Sequence, residues 1–323
     1  MVDLITLKNK IIGGEKISRT EATELINAPL EELCKCADEI RKHFCKDGFD
    51  ICTIINGKCG RCSEDCKFCA QSARYKTMIE EYPLLDTDEI VRQAKYNAER
   101  GVLRYSIVTS GKMLSDSDVD KVCESIKAIK SEVGIEVCVS FGLLGVEQFK
   151  KIKAAGASRV HCNLEASRNF FPSVCSTHTY DMKIETLKSA RLAGLSICSG
   201  GIMGLGETME DRIDMAFDLR ELAVKSVPIN FLNPIKGTPF ENNPPLSDDE
   251  KRRIVAIYRF ILPDASIRLA GGRGLIADKG EGCFRSGANA AISGDMLTTS
   301  GITIENDMKM LKKLGFKAEL WNE

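Results

Sequence analysis

Eight short apolar runs, separated by amphipathic helical stretches, do most to restrict what this chain can fold into. The runs are Ile51–Ile55, Arg104–Thr109, Ile135–Phe141, Arg159–Leu164, Leu195–Ser199, Val227–Leu232, Ser266–Ala270 and Ala288–Ser293. Between most of them lie stretches of helical periodicity: Thr87–Arg100, Asp116–Val133, Val146–Ala155, Tyr180–Ala193, Thr208–Val224 and Ser247–Ile261. Gly101, Gly134, Gly156, Gly194 and Pro263 punctuate the joins. Strands that alternate with helices pair in parallel, and about eight of them predict a closed (β/α)8 barrel of the TIM type. An open doubly wound sheet shares the local pattern and is the structural competitor. Residues 1–50 read as a helical extension, with Ala37, Ile40 and Phe44 on one apolar face. Residues 51–323 read as a single barrel domain with a C-terminal tail, and no repeat, low-complexity segment or linker divides them.

Fourteen cysteines in 323 residues need an account. The opening residues, MVDLITLKNKIIGGEK, lack the long apolar run of a signal peptide, so a cytoplasmic location is expected. Disulfides are disfavoured in a reducing compartment, and clustered thiols there more often bind metal or react. Cys34, Cys36, Cys45 and Cys123 fall in helical stretches, Cys52 opens an apolar run and Cys175 lies in a loop; all six read as small apolar filler. A net charge of −1 gives no electrostatic reason to expect nucleic acid. No segment has the length and apolarity of a membrane span.

The loop CGRCSEDCKFCAQS carries Cys59, Cys62, Cys66 and Cys69 directly after the first strand candidate, which in a barrel is the catalytic face. Soft thiolates crowded on one loop suit zinc or iron–sulfur clusters. A structural zinc site usually joins two separated CxxC pairs, and no second pair occurs here. The spacing of two-cluster ferredoxins is not reproduced either. Cys62, Cys66 and Cys69 could hold three irons of a cubane and leave the fourth open. Cys59, as a fourth thiolate, would close it and make an electron-transfer centre.

The Cys62-x3-Cys66-x2-Cys69 spacing resembles the radical S-adenosylmethionine superfamily. The ordered segments EDCKFCAQSARYKT, CSGGIMGLGET, SVPINFL, KGTPF, SIRLAGGR and GANAAISGDMLTT, spread from about residue 50 to residue 315, resemble the biotin synthase family within it. This resemblance implies a 4Fe–4S cluster on Cys62, Cys66 and Cys69 whose open iron takes S-adenosyl-L-methionine. It implies cleavage of that cofactor to a 5′-deoxyadenosyl radical, and sulfur insertion into dethiobiotin to form biotin. No catalytic side chain beyond the cluster ligands is implied. Phe68 matches the aromatic expected against the adenine. Glu165 replaces a commoner Asp at the ribose hydroxyls, and Gly200 and Gly201 belong to a turn that lets backbone approach the cofactor. Asn163 and Asn230 match positions near the substrate, where an amide suits a ureido ring. Lys183 stands where Arg is usual. His43 and His178 read as packing or surface residues, and His161 as a candidate for lining the site.

The sulfur source implied by the resemblance is an auxiliary iron–sulfur cluster deeper in the barrel. Cys138, Cys198 and Arg268 match its ligand positions, Arg268 with a structural charge partnership as the alternative. The strand position that carries a third auxiliary cysteine is Ser106 here, a poor iron ligand. Cys162 stands where a histidine is commoner, and Cys59 is additional. Ser106, Cys162 and Cys59 are therefore the candidates for completing an altered set, around a 2Fe–2S or a larger four-iron cluster. The implied partners are dethiobiotin, a flavodoxin- or ferredoxin-type electron donor and a second copy in a homodimer, without nucleic acid or membrane. A hydrogenase-cluster maturase is the second reading, and a non-catalytic zinc or electron-transfer protein the third.

Overall fold

A computed structural model describes residues 3–320. Its strands are β1 (Gly48–Lys58), β2 (Arg104–Thr109), β3 (Glu136–Ser140), β4 (Arg159–His161), β5 (Ser196–Cys198), β6 (Gly201–Met203), β7 (Ser226–Phe231), β8 (Ser266–Leu269), β9 (Ala290–Ser293) and β10 (Lys317–Ala318). Every pairing among them is parallel. The order β1-β2-β3-β4-β5-β7-β8-β9 returns to β1 through the pairing of Asp50–Thr53 with Ala290–Ser293. That closure is the (β/α)8 barrel and excludes the open sheet. All eight apolar runs became strands; a long helix carries the chain back to the same end between most of them, and between β8 and β9 a connection of about twenty residues with one short helix does so.

The fifth barrel position is split. β5 pairs with β4 and β7, and β6 continues the line beside β7, with Gly201 bridged to Glu165 on its other side. The break has a steric cause. A Cβ at Gly200 would sit 1.9 Å from the carbonyl oxygen of Pro228, and one at Gly201 2.5 Å from the sulfur of Met215. A side chain at Gly200 would run into β7, and one at Gly201 into Met215 and the Glu165 carbonyl.

Side-chain caps start the barrel helices. Asp86, Ser115, Thr179, Thr208 and Ser247 each accept the backbone N–H three residues on, a contact worth about 1 kcal/mol each. Residues alternate in direction along every strand. Cys52 and Ile54, Arg104 and Ser106, Cys138 and Ser140, Arg159 and His161 line a central cavity. Their neighbours Ile51, Tyr105, Ile107, Val137, Val139 and Val160 are buried in the apolar layer beneath the helices.

The three helices ahead of β1, at Leu4–Ile12, Arg19–Glu24 and Leu30–Cys45, add Leu4, Leu7, Ile11, Leu33 and Ile40 to that same apolar core. The tail contains a helix at Ile304–Leu314 and the short β10, which extends the sheet beside Gly48 and Phe49. No helix among the described residues is long and apolar enough to cross a membrane.

Candidate active site

The C-terminal ends of the strands open into a cavity of about 390 Å³, lined at its mouth by Cys62, Cys66 and Cys69 and within the barrel by Cys52, Cys138 and Cys198. The mouth is built by one loop that bonds to itself. The Cys62 N–H donates to the Gln71 carbonyl (3.1 Å), Ala73 N–H to the Cys62 carbonyl (2.8 Å) and Cys69 N–H to the Cys66 carbonyl (2.9 Å). The three thiols are half-buried. A tetrahedral ion with sulfur bonds of about 2.3 Å draws its ligands to within about 4 Å of one another, and these three do not converge within 4.8 Å. Such a wide, all-thiol set suits a multi-iron cluster. Cys59 stays apart: it is 5% exposed, pairs its backbone with Tyr82 and does not line the cavity.

Behind the mouth the structure corrects two expectations. Cys175, read as filler, has its sulfur 3.8 Å from that of Cys66. His178, read as a packing residue, sits 3.3 Å from the Cys175 sulfur and 2.6 Å from a Glu64 carboxylate oxygen. Asp65 accepts from the backbone N–H groups of Ser176 (2.9 Å) and Thr177 (3.2 Å), which clamps this segment to the cysteine loop. Cys66, Cys175 and His178 form the one converging group of potential ligand atoms among the described residues. The hydrogen bond from Cys66, joined by those from His178 and Thr177, draws the Cys175 thiol down to about 4 and pushes Cys66 up. Burial raises Cys69 to about 11.

One flank of the mouth has the features of a cofactor wall. Phe68 packs against an apolar group of Ala166, Val174, Leu205 and Leu232. Glu165 adopts a left-handed backbone, φ 72°, held by bonds from its N–H to Gly200 (3.1 Å) and from Ile202 to its carbonyl (2.9 Å). Its buried Oε2 lines the cavity without a hydrogen-bond partner. A strained residue presenting an unsatisfied acceptor marks a built binding position, and ribose hydroxyls are donors that fit it. Lys183 is 8% exposed; burial works against its charge, but its acidic neighbours, Glu165 among them, hold its pKa above the usual lysine value.

Asn163 and Asn230 both line the cavity but spend much of their capacity on backbone. Asn163 Oδ1 accepts from Gly200 N–H (3.0 Å). Asn230 Oδ1 accepts from Gly271 N–H (2.9 Å), and its Nδ2 donates to the Gly201 carbonyl (3.1 Å). Gly200 and Gly201 do not line the cavity; a Cβ at Gly200 would meet the Pro228 backbone of β7, and one at Gly201 the Met215 side chain and the Glu165 carbonyl.

The inner end is a different environment. Asp50, fully buried, has one carboxylate oxygen 2.8 Å from Arg268 and 3.4 Å from Arg159. Arg268 Nη1 also donates to the Asp50 carbonyl (2.9 Å), the Ala291 carbonyl (3.0 Å) and the Cys52 sulfur (3.1 Å). With Arg104, three guanidiniums line a wall that holds one carboxylate. Fixed positive charge of this kind suits an anionic thiolate and sulfide assembly. The Cys198 sulfur is met by His161 Nδ1 (3.4 Å) and the Ser226 hydroxyl (3.3 Å). Burial pulls the Cys198 thiol up, but the His161 bond and the charges of His161, Arg268 and Arg159 bring it down to about 7. Burial raises Cys52 to about 12 and also raises Cys138, which lies beside Ser106 in register.

Cys138, Cys198, Arg268 and Ser106 all line the cavity. Cys162 does not join them: it is packed in the apolar core, while its neighbours His161 and Asn163 line the cavity. Alternation along β4 and its extension turns it outward. Cys52, Asp50, Arg104 and Arg159 were missed. Their signal was available as Asp50-x-Cys52 and Arg104-x-Ser106, polar residues at period two inside otherwise apolar strands.

The Radical SAM superfamily profile matches residues 56–219, and that of the Biotin and Thiamin Synthesis associated domain residues 228–317. Relatives named biotin synthase are 59% identical over 319 residues in Brachyspira hyodysenteriae (99% of this chain, 96% of the relative) and 56% over 315 in Akkermansia muciniphila (98% of each). Among solved structures, methylornithine synthase superposes with a TM-score of 0.84 over 97% of both chains at 19% identity. An FeFe-hydrogenase maturase from Carboxydothermus hydrogenoformans gives 0.81, also at 19%, over 97% of this chain and 78% of that one. Likeness at that identity shows the shared fold alone. The chain belongs to the biotin synthase family of the radical SAM superfamily.

Proposed function

We propose that this chain forms biotin from dethiobiotin by radical insertion of sulfur, with the mouth thiols holding a 4Fe–4S cluster and the inner thiols holding the sulfur source. The supporting observation is that one cavity has a sulfur-rich set of residues at each end, with room for a substrate between them. When bound, the mouth cluster supplies the electron that cleaves S-adenosyl-L-methionine, and the auxiliary cluster supplies sulfur.

The chain's own residues do the rest. Cys62, Cys66 and Cys69 hold the irons, and Phe68 covers the adenine. Glu165 accepts the ribose hydroxyls through its unsatisfied oxygen. Asn163 and Asn230 pin the strand ends, so that the cofactor and substrate walls keep their spacing, and the Asn163 amide group offers N–H donors to the ureido ring. Cys138 and Cys198 anchor the auxiliary cluster, and the arginine wall offsets its negative charge. The closed barrel keeps water away from the radical.

Cofactor cleavage consumes an electron, so the reading includes a flavodoxin- or ferredoxin-type donor; it also includes a homodimer in a reducing cytoplasm. The altered thiol set favours a four-iron auxiliary cluster over 2Fe–2S. Iron counting on anaerobic protein tests this: about eight irons per chain supports it, and about six speaks for the smaller form. The function is tested by mass spectrometry after anaerobic reconstitution with dethiobiotin, S-adenosyl-L-methionine and a low-potential reductant. Biotin together with 5′-deoxyadenosine is expected. Deoxyadenosine without biotin, from protein carrying both clusters, would point to another substrate.

A further inference from the structure

Ser106 leaves the inner site one thiolate short, and the structure offers a replacement from a different strand. We infer that Cys52 is the third thiolate of the auxiliary cluster, in place of Ser106. The inference rests on the auxiliary cluster proposed above.

Surroundings separate Cys52 from the filler cysteines. Cys34, Cys36, Cys123, Cys162 and Cys283 belong to the continuous apolar core, and Cys45, outside it beside Arg259, does not line the cavity; Cys52, Cys138 and Cys198 lie outside the core as well, although each is at most 6% exposed. These three line the cavity instead, on β1, β3 and β5. A guanidinium N–H of Arg268 lies 3.1 Å from the Cys52 sulfur and treats it as an acceptor. Cys198 has the same kind of support from His161 and Ser226, and Cys138 from Ser106. The three sulfurs do not all lie within 4.8 Å of one another, a spread too wide for a single ion.

The register shows what the exchange changes. Ile54 pairs with Ser106, and Cys52 pairs with Arg104, two residues earlier on each strand. The third anchor therefore moves by one strand, roughly 4.8 Å, and one pleat, roughly 6.6 Å, deeper into the barrel. In this structure the Arg268 guanidinium serves the Asp50 carboxylate and carbonyl, Ala291 and Cys52 itself, so it holds Cys52 in place and balances the charge.

The test isolates the inner site. A Cys62→Ala, Cys66→Ala, Cys69→Ala triple variant cannot hold the mouth cluster, so iron bound after anaerobic reconstitution belongs to the auxiliary site. Cys52→Ala and Cys52→Ser are added separately to that parent, with Cys123→Ala as the control. Iron, acid-labile sulfide and the Mössbauer spectrum are measured on chains checked for folding by circular dichroism. The expected result is loss of at least about half the parent's iron in Cys52→Ala, an altered spectrum in Cys52→Ser, and no change in the control. Parent-like iron, sulfide and spectrum in both Cys52 variants would overturn the inference while leaving the auxiliary cluster standing. A triple parent that takes up no iron would overturn the auxiliary-cluster reading, and this assignment with it. Cys52→Ser, closest in size and polarity, decides the matter if the alanine variant does not fold.

Discussion

The two ends of the cavity solve one problem, holding a cluster of cysteines in a protein interior, by opposite means. The mouth places Cys62, Cys66 and Cys69 within eight consecutive residues, half-buried, on a loop fixed by its own backbone bonds. The inner end gathers Cys52, Cys138 and Cys198 from three strands and surrounds them with buried ions. A loop site is set by local spacing and tolerates change in the barrel. A strand site exists only once the barrel has closed, and it depends on the charge balance of the whole interior. The difference teaches that the mouth should fail through its ligands, and the inner site through its charges.

The largest effect should come from Cys66→Ala. Deoxyadenosine and biotin should both fall to the detection limit, while the inner site keeps its iron; product mass spectrometry and iron counting decide. Loss of iron from both ends would break the claim that they are independent. Next comes Asp50→Asn, which leaves the interior arginines without their carboxylate. Burial opposes ionisation of Asp50, but Arg268, Arg159 and Arg104 hold its pKa below the usual carboxylate value. Removing one partner from a buried ion pair costs about 3–5 kcal/mol, readable by denaturant unfolding of the cluster-free protein. The stabilisation is fully present above the unfolded value of about 3.9 and is lost as pH falls through the lower folded value. The variant should therefore lack this part of the acid transition. A cost under about 1 kcal/mol would mean that charge does not organise the inner end.

A smaller effect is expected at Cys175→Ser. Its sulfur touches Cys66 and is braced by His178 and Asp65, the place of an outer-shell partner to a metal ligand. Such partners typically change metal affinity by about 10–100-fold. Iron at the mouth should be lost faster to a chelator, with the inner iron unaffected. Equal loss at both ends would show a general loosening of the fold.

These regions were legible in the sequence to different degrees. The barrel was legible because eight apolar runs and their intervening helices each carry a local period. The mouth was legible because its ligands are neighbours in sequence. The inner site was legible only where the family resemblance pointed, at Cys138, Cys198 and Arg268. Cys52 opens an apolar run and reads as filler until β1 pairs with β2 and β9 and Arg268 reaches it. Cys175 lies 109 residues from Cys66 and gives no local sign of their contact. The close packing of Gly200 on the Pro228 carbonyl gave no sign in sequence either, since a glycine pressed by β7 looks there like one that admits a ligand. Spacing reports what lies along the chain, and convergence across strands needs the register.

The smallest effect sharpens the comparison most, because it concerns a cysteine that belongs to neither end. Cys162 is 7% exposed and lies in the apolar core, one residue from His161 and Asn163, which face the cavity. If the pleat governs membership of the inner site, Cys162→Ala loses only the burial of a small side chain, about 1 kcal/mol. The auxiliary cluster should keep its full iron and an unchanged spectrum. A loss of two or more irons would mean that β4 rotates Cys162 inward when the cluster binds, and the pleat seen without it would no longer decide which thiols are ligands. Measured beside Cys52→Ala, the two variants ask one question of two buried cysteines that differ in the face they occupy.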